Sequence, residues 1–172
     1  MRLAAAVLVF ALALSACSRE NEGESAEDFA ERVGAGGETA APDPAAQESV
    51  PVSAPPPASV DVRSLEPLGN IAGADLGPRD GGCTFTVGEN PLLLAGAPNN
   101  PAASGKAVVR AGSKLYLLGA APGGMDAIRQ GTRFTGEGVT VDVTPTTNQA
   151  AVLKVTDAQG RSANLSGMWI CA

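Results

Sequence analysis

From Cys83 to the C-terminus, apolar and polar residues alternate with a period of two, and this pattern restricts the fold more than any other feature. In residues 139–144 (Val-Thr-Val-Asp-Val-Thr) three valines share one face and three polar residues share the other. Successive side chains of a β-strand point to opposite faces, so such a segment is a strand with one buried side. The distal 90 residues are therefore predicted to be β-structure.

Turn-forming residues separate these short alternating runs. Residues 111–113, 136–138 and 157–160 each contain a glycine at a spacing that suits a hairpin connection or a bulge. The glycine-flanked stretch 123–131 is a loop with room for one helical turn. Seven or eight short strands at this spacing predict an all-β domain over residues 83–172, built as a small antiparallel barrel or sandwich.

The N-terminus carries a targeting pattern. Arg2 is followed by an apolar run from Leu3 to Leu14 and then by two small residues. This arrangement is typical of a secretory signal and is too short to span a bilayer as a mature helix. Cys17, directly after Leu-Ser-Ala, resembles the lipobox of bacterial lipoproteins. The resemblance implies that residues 1–16 are removed and that Cys17 is acylated on its thiol and on its new amino group. An ordinary signal peptide with an incidental Cys at the boundary is the alternative.

The same resemblance predicts a location. In Gram-negative lipoproteins an Asp after the acylated Cys commonly holds the protein at the inner membrane, so Ser18 favours the outer membrane, at its periplasmic face. Several acyl chains on one residue give stable attachment, because each buried methylene contributes about 0.8 kcal/mol. The first expected partner is therefore the membrane itself, contacted through N-terminal acyl chains.

Charge divides the chain into an acidic part and a nearly neutral part. Residues 18–82 contain 13 Asp and Glu against four Lys and Arg, whereas residues 83–172 contain five against seven. Residues 17–59 are rich in Ala, Pro, Gly and Glu and predict a disordered tether. Within it, residues 25–34 form either a small docking helix or a fraying one. Residues 60–82 predict an arm packing on the domain. No basic stripe with interleaved aromatics is present, so nucleic acid is not an expected partner.

Cys83 and Cys171 remain after Cys17 is assigned to lipidation. They bracket the predicted β domain, and the compartment implied by the signal oxidises thiols. An even pair in this setting predicts a disulfide between the first and last strands. Two buried free thiols are the alternative, and no Cys-x-x-Cys pattern indicates redox catalysis.

The sequence offers little for catalysis. It contains no His, which excludes Ser-His and Cys-His nucleophile pairs, His general bases and His-ligated zinc. Glycine-rich phosphate loops and calcium-loop motifs are also lacking. No catalytic residue, metal or cofactor is therefore predicted. For an enzyme acting on cell-wall glycan, Glu137 and Asp142 would be the acid pair, although no spacing singles them out.

Candidate binding residues follow from the alternation of the last strand. Trp169 shares a face with Cys171 and Leu165, and we expect its ring in the core beside the disulfide. Met168 and Ile170 then point to the opposite face. If that face is open they form an apolar partner patch, and if it is covered they are ordinary core. The covered arrangement is the favoured one.

A second resemblance adds residues to this candidate partner surface. Small disulfide-closed β-barrel lipoproteins include the membrane-bound inhibitors of c-type lysozyme, in which a Ser-Gly-x-x-Tyr loop enters the lysozyme cleft. Residues 112–116 (Gly-Ser-Lys-Leu-Tyr) are similar, with Ser and Gly exchanged and with Tyr116 in a predicted strand. Ser113, Lys114 and Tyr116 are therefore candidates for a partner surface. The distal domain also looks like the many uncharacterised lipoproteins of Gram-negative bacteria that end in a similar Gly-x-Trp-x-Cys.

These features together predict a lipid-anchored outer-membrane lipoprotein. Its β domain is expected to be a non-enzymatic binding module for an envelope protein or glycan. An inhibitor of an extracellular hydrolase such as lysozyme is the first alternative, and an enzyme acting on cell-wall glycan is the second.

Overall fold

Eight strands pair in chain order, and the last strand pairs with the first, so the sheet closes into an antiparallel barrel. The all-β prediction is confirmed, and of its two architectures the chain adopts the barrel. Closure matters for function because a closed sheet has no free strand edge. The strands are β1 (Gly81–Val87), β2 (Asn90–Ala97), β3 (Ser104–Ala111), β4 (Lys114–Pro122), β5 (Arg133–Gly136), β6 (Val139–Pro145), β7 (Ala150–Asp157) and β8 (Ser162–Cys171), with one short helix, α1 (Gly124–Arg129), between β4 and β5.

The computed structural model describes residues 50–52 and 54–172, all of which belong to the unit Pro42–Ala172. The predicted signal segment, the lipidation site Cys17 and the predicted docking helix at residues 25–34 lie outside the described residues. Within the described part of the chain, no helix has the length and hydropathy needed to cross a bilayer.

Alternate side chains fill the barrel interior. Phe85, Phe134 and Leu153 are fully buried there. In β6 the three valines face inward, while the threonines and Asp142 between them are only partly buried or exposed, as the alternation predicts. The interior is thus packed core.

Helix α1 closes one end of the barrel. Its side chains Met125 and Ile128 are buried in the inner core. The indole Nε1 of Trp169 donates a hydrogen bond to the carbonyl oxygen of Ile128 at 3.0 Å. Gly105 permits this packing, because a Cβ there would lie 2.7 Å from the Cδ1 atom of Ile128. The core position predicted for Trp169 is confirmed, with 4% of the residue exposed.

The segment before β1 closes the opposite end and then continues over the outside of the barrel. Val62 is buried in the inner core cluster, and Val60 packs against it. At the β3–β4 turn, a Cβ on Gly112 would lie 2.6 Å from a methyl carbon of Val60. Farther on, Leu68 and Leu76 bury against the outward side chains of β3 and β4. Residues 60–80 therefore form a segment that covers the outer faces of the strands β2 to β4, and these covered faces are here called the covered side.

A buried arginine holds this covering segment in place. Arg110, on β3, is fully buried. Its guanidinium donates hydrogen bonds to the carbonyl oxygens of Leu68 at 2.8 Å, of Asn70 at 3.0 Å and of Ser113 at 2.9 Å. The carbonyl oxygen of Arg110 accepts a further bond from the backbone N–H of Glu66 at 2.9 Å. Because a buried guanidinium must satisfy its donors, these bonds specify where the covering segment lies.

Contact with the barrel begins before the predicted tether ends at residue 59. The strands β4 and β5 pair only through Gly119–Thr135 and Ala120–Phe134. Beyond that short ladder, the backbone N–H of Val52 donates to the carbonyl oxygen of Leu115 at 3.0 Å. Val52 thus occupies the gap that the short strand β5 leaves beside β4, so the start of the covering segment lies upstream of the predicted arm.

The predicted disulfide is confirmed. Cys83 of β1 and Cys171 of β8 lie directly opposite each other in the β1–β8 ladder and form a disulfide. The bond therefore crosses the seam at which the barrel closes, and it encloses a sequence separation of 88 residues.

Candidate functional site

The outer face of β8 and β1 carries exposed apolar side chains. Met168 is 41% exposed and Ile170 is 44% exposed. Their cross-strand neighbours on β1 are Thr86 and Thr84. The favoured expectation that this face is covered was wrong, because the covering segment packs on the other side of the barrel. Met168, Ile170, Thr84 and Thr86 are here called the open face.

A turn with unusual backbone geometry borders the open face. Asn148 and Gln149, between β6 and β7, have positive φ angles of 57° and 64°. A left-handed conformation costs a residue other than glycine about 1 kcal/mol or more. The carbonyl oxygen of Gln149 accepts a bond from the backbone N–H of Trp169 at 2.7 Å, and Ala150 pairs with Met168. The strained turn therefore supports the strand segment that displays Met168.

A cleft of about 440 Å³ lies between the end of the covering segment and the barrel wall. Its floor is low at Gly81 and Gly82 of β1, which both line it and have no side chains. Its lining includes Leu76, Arg79, Asp80, Gly82, Leu94 and Ala95. These residues are here called the cleft.

The cleft adjoins the open face along one row of the sheet. Thr84 pairs with Ile170 on one side and with Leu94 on the other. Neighbouring strands lie about 4.8 Å apart, so the row from Ile170 to Leu94 spans about 10 Å. A row of outward side chains, formed by Ile170, Thr84 and Leu94, therefore joins the open face to the cleft.

The two charged groups of the cleft, Asp80 and Arg79, differ in their hydrogen bonding. The Asp80 carboxylate accepts a hydrogen bond from the backbone N–H of Asn99 at 2.8 Å. Arg79 is exposed, and among the described residues it has no hydrogen-bond or ion-pair partner. Its stem lies over buried Gly96 of β2, beside the cleft, since a Cβ on Gly96 would be 3.0 Å from its Cδ atom. Of these two groups, the guanidinium is the one that has no partner among the described residues.

The other predicted surface residues lie elsewhere. Ser113 and Lys114 are exposed at the β3–β4 turn, where the backbone N–H of Ser113 donates to the Glu66 carboxylate at 2.9 Å. Tyr116 is only 4% exposed and belongs to the inner core cluster, so its predicted place on an exposed partner surface is corrected. The structure does not bring the turn together with Met168 and Ile170, because β4 and the β8–β1 seam lie on different sides of the barrel.

The two carboxylates considered as an acid pair for glycan chemistry, Asp142 and Glu137, have different environments. Asp142 points outward on β6 and accepts hydrogen bonds from the Arg133 guanidinium at 2.6 and 3.3 Å. Glu137 is exposed in the β5–β6 turn. The described residues contain no group of three or more Cys, Asp or Glu side chains placed to hold a metal ion.

An ionic cluster joins the covering segment to the β7–β8 turn. The Asp157 carboxylate lies 2.7 Å from Nε of Arg161 and 3.8 Å from Nε of Arg63. Burial raises the pKa of Asp157, but hydrogen bonds from the backbone and side chain of Arg161 outweigh it and hold this pKa below its ordinary value. The pKa of Asp61 is lowered mainly by its hydrogen bonds from Arg63. This cluster is structural, because it bridges two segments of the same chain.

The open face and the cleft are defined by geometry alone. No protein-family model matches the chain, and comparisons with curated proteins and with solved structures give no significant match. Sequence reasoning found Met168 and Ile170 through strand alternation. It missed the cleft, for which the available signal was the pair Gly81-Gly82 at the start of the first strand.

Proposed function

We propose that this chain is a lipid-anchored outer-membrane protein whose barrel is a non-enzymatic binding module in the cell envelope. The open face is the surface that it presents to a partner. The observation that carries this proposal is the exposure of Met168 and Ile170, at 41% and 44%. Adjacent exposed apolar side chains are typical of interaction surfaces.

The packing of the barrel interior favours a binding site on the outer surface. The interior is packed with side chains, and both ends are closed by α1 and by Val60 and Val62. A ligand held inside the barrel would have to displace that core. Binding at an outer face needs no such rearrangement, and on the open face two large apolar side chains of one strand are left exposed side by side.

The position of Val52 agrees with this role. Val52 contacts the barrel beside β4, near the β4–β5 pairing, whereas β8 is four strands away around the barrel of eight. This described part of the chain therefore does not cover the open face.

The binding role is tested by capture from solubilised envelope, with peptidoglycan sedimentation run in parallel. The bait is the full chain carrying Cys17→Ser, which removes the thiol that acylation would use. We expect one protein or glycan to be enriched, and we expect the double variant Met168→Ser, Ile170→Ser to lose it.

The matched control is Thr140→Ser with Thr156→Ser, on the outer faces of β6 and β7, which should capture as well as the parent chain. If the open-face variant and the control retain the partner equally, the open face is not the binding surface. The anchor is tested separately by labelled palmitate, which should be incorporated by the parent chain and not by Cys17→Ser.

A further inference from the structure

We infer that the cleft binds a single-chain amphiphile with an anionic head group. The head group contacts Arg79, and the tail lies over the glycine floor between Leu76 and Leu94 and continues toward Ile170. This inference rests on the proposed function and deepens it, because it names a ligand class for the side of the barrel that carries the open face.

The size and walls of the cleft suit such a ligand. A volume of about 440 Å³ falls in the range of small-molecule sites, which are mostly apolar with few polar groups. Leu76 closes one wall and Leu94 lies beside the floor. The floor at Gly81 and Gly82 is backbone, since these residues lack side chains, so an alkyl chain can approach the sheet closely there.

The positive charge of Arg79, at the rim of the cleft, favours a ligand with an anionic head group. The guanidinium of Arg79 has five N–H donors, and none of them is used by the described residues. Such a group recognises carboxylate and phosphate through paired hydrogen bonds. The one carboxylate in the lining, Asp80, keeps its negative charge, but its Oδ2 atom accepts the backbone N–H of Asn99. An anionic head group therefore pairs with the Arg79 guanidinium, whose donors have no partner among the described residues.

The backbone of the site disfavours an extended peptide as the occupant. A peptide strand binds by adding to an open sheet edge, and this barrel is closed. The polar groups of Gly82 are also occupied, because its N–H and carbonyl oxygen pair with Ala172 at 3.2 and 2.9 Å. A ligand that needs one charged contact and otherwise apolar surroundings fits better than one that needs many backbone bonds.

Calorimetric titration with dodecyl phosphate, kept below its micelle concentration, tests the inference on the full chain carrying Cys17→Ser. We expect saturable binding of one molecule per chain and at least tenfold weaker binding by Arg79→Gln. Dodecyl maltoside, which has a neutral head group, should bind the parent chain and Arg79→Gln equally. Inorganic phosphate, which lacks a tail, should not bind measurably.

Arg129→Gln is the matched control, because Arg129 is an exposed cation on α1, away from the cleft lining. It should bind dodecyl phosphate as the parent chain does, and the melting temperature of Arg79→Gln should be unchanged. Amide NMR resonances of Gly82 and Gly96 should shift on titration. Absence of saturable binding, equal affinity of Arg79→Gln, or resonance shifts confined to other residues would overturn the inference.

The experiments can contradict either of the two proposals without contradicting the other. If dodecyl phosphate does not bind but an envelope partner is captured through Met168 and Ile170, the amphiphile inference is wrong and the binding module stands. If Arg79→Gln weakens dodecyl phosphate binding and leaves envelope capture intact, the cleft and the open face have different ligands, and the inference holds.

Discussion

The covered side and the open face of the barrel both have outward apolar side chains, but these side chains are buried on the covered side and exposed on the open face. Val108 and Leu115 on the covered side point outward and are completely buried, whereas Met168 and Ile170 on β8 point outward and remain 41% and 44% exposed. The difference lies in what the chain places over each face. Outward apolar residues thus identify an interaction surface only when no segment of the same chain covers them.

The two sides are also secured by different means. The covered side depends on hydrogen bonds from Arg110 to the carbonyl oxygens of Leu68 and Asn70. The seam at the open face depends on the disulfide between Cys83 and Cys171. Removing each device should therefore have its own effect on stability and on binding.

The largest effect is expected at the disulfide. In the chain-entropy model, closing a loop of 88 residues contributes about 4 to 5 kcal/mol. The double variant Cys83→Ala, Cys171→Ala should therefore lose most of the stability of a small domain, which denaturant unfolding will measure. A variant that unfolds at the same denaturant concentration as the parent chain would show that the ladder alone secures the seam.

The next largest effect is expected at Arg110. Arg110→Met keeps much of the side-chain volume but leaves the carbonyl oxygens of Leu68, Asn70 and Ser113 without their donor. We expect a loss of about 3 kcal/mol, because buried acceptors then lack partners. Limited proteolysis should cut residues 60–80 first, since the strands keep their own ladders. Simultaneous loss of the strands would contradict a separable cover.

A paired substitution compares the two sides directly. Val108→Ser removes a fully buried side chain and adds a buried hydroxyl, so it should cost about 2 kcal/mol. Ile170→Ser acts on an exposed residue and should change stability by less than about 0.5 kcal/mol. The second variant should instead lose partner capture. Equal destabilisation by both would mean that the open face is covered in solution.

The smallest effect is expected at Asp157, which forms an ionic cluster with Arg161 and with Arg63 of the covering segment. Asp157 has a lowered folded-state pKa, so its stabilising contribution is present above its ordinary pKa of 3.8 and is lost as pH falls through the lower folded value. Asp157→Asn should therefore melt below the parent chain at pH 7, and the two curves should converge near pH 2. A difference that persists at low pH would show that the ionic bridge to Arg63 and Arg161 is not its source.

Strand positions could be predicted from the sequence because they depend on the local alternation of apolar and polar residues. The disulfide could be predicted because few cysteines are present. Alternation places Trp169 inward and Ile170 outward whatever the sheet packs against, and the predicted β domain contains two cysteines, which can form only one bridge with each other. The exposure of Ile170 could not be predicted, because it depends on where a segment some 90 residues earlier in the chain settles. The buried state of Arg110 and the glycine floor of the cleft depend on the same non-local packing and on the β1–β2 register.

The pairing of the last strand with the first has a consequence for how the barrel forms. Until β8 is complete, β1 has no partner on one side, and its unpaired backbone groups can join the strand of another molecule. Pairing between strands so distant in the chain is slow. The nascent barrel therefore passes through an aggregation-prone interval that ends only when residues 162–171 arrive. Because Cys83 is completely buried once the barrel is closed, the seam is most accessible to an oxidant during that interval.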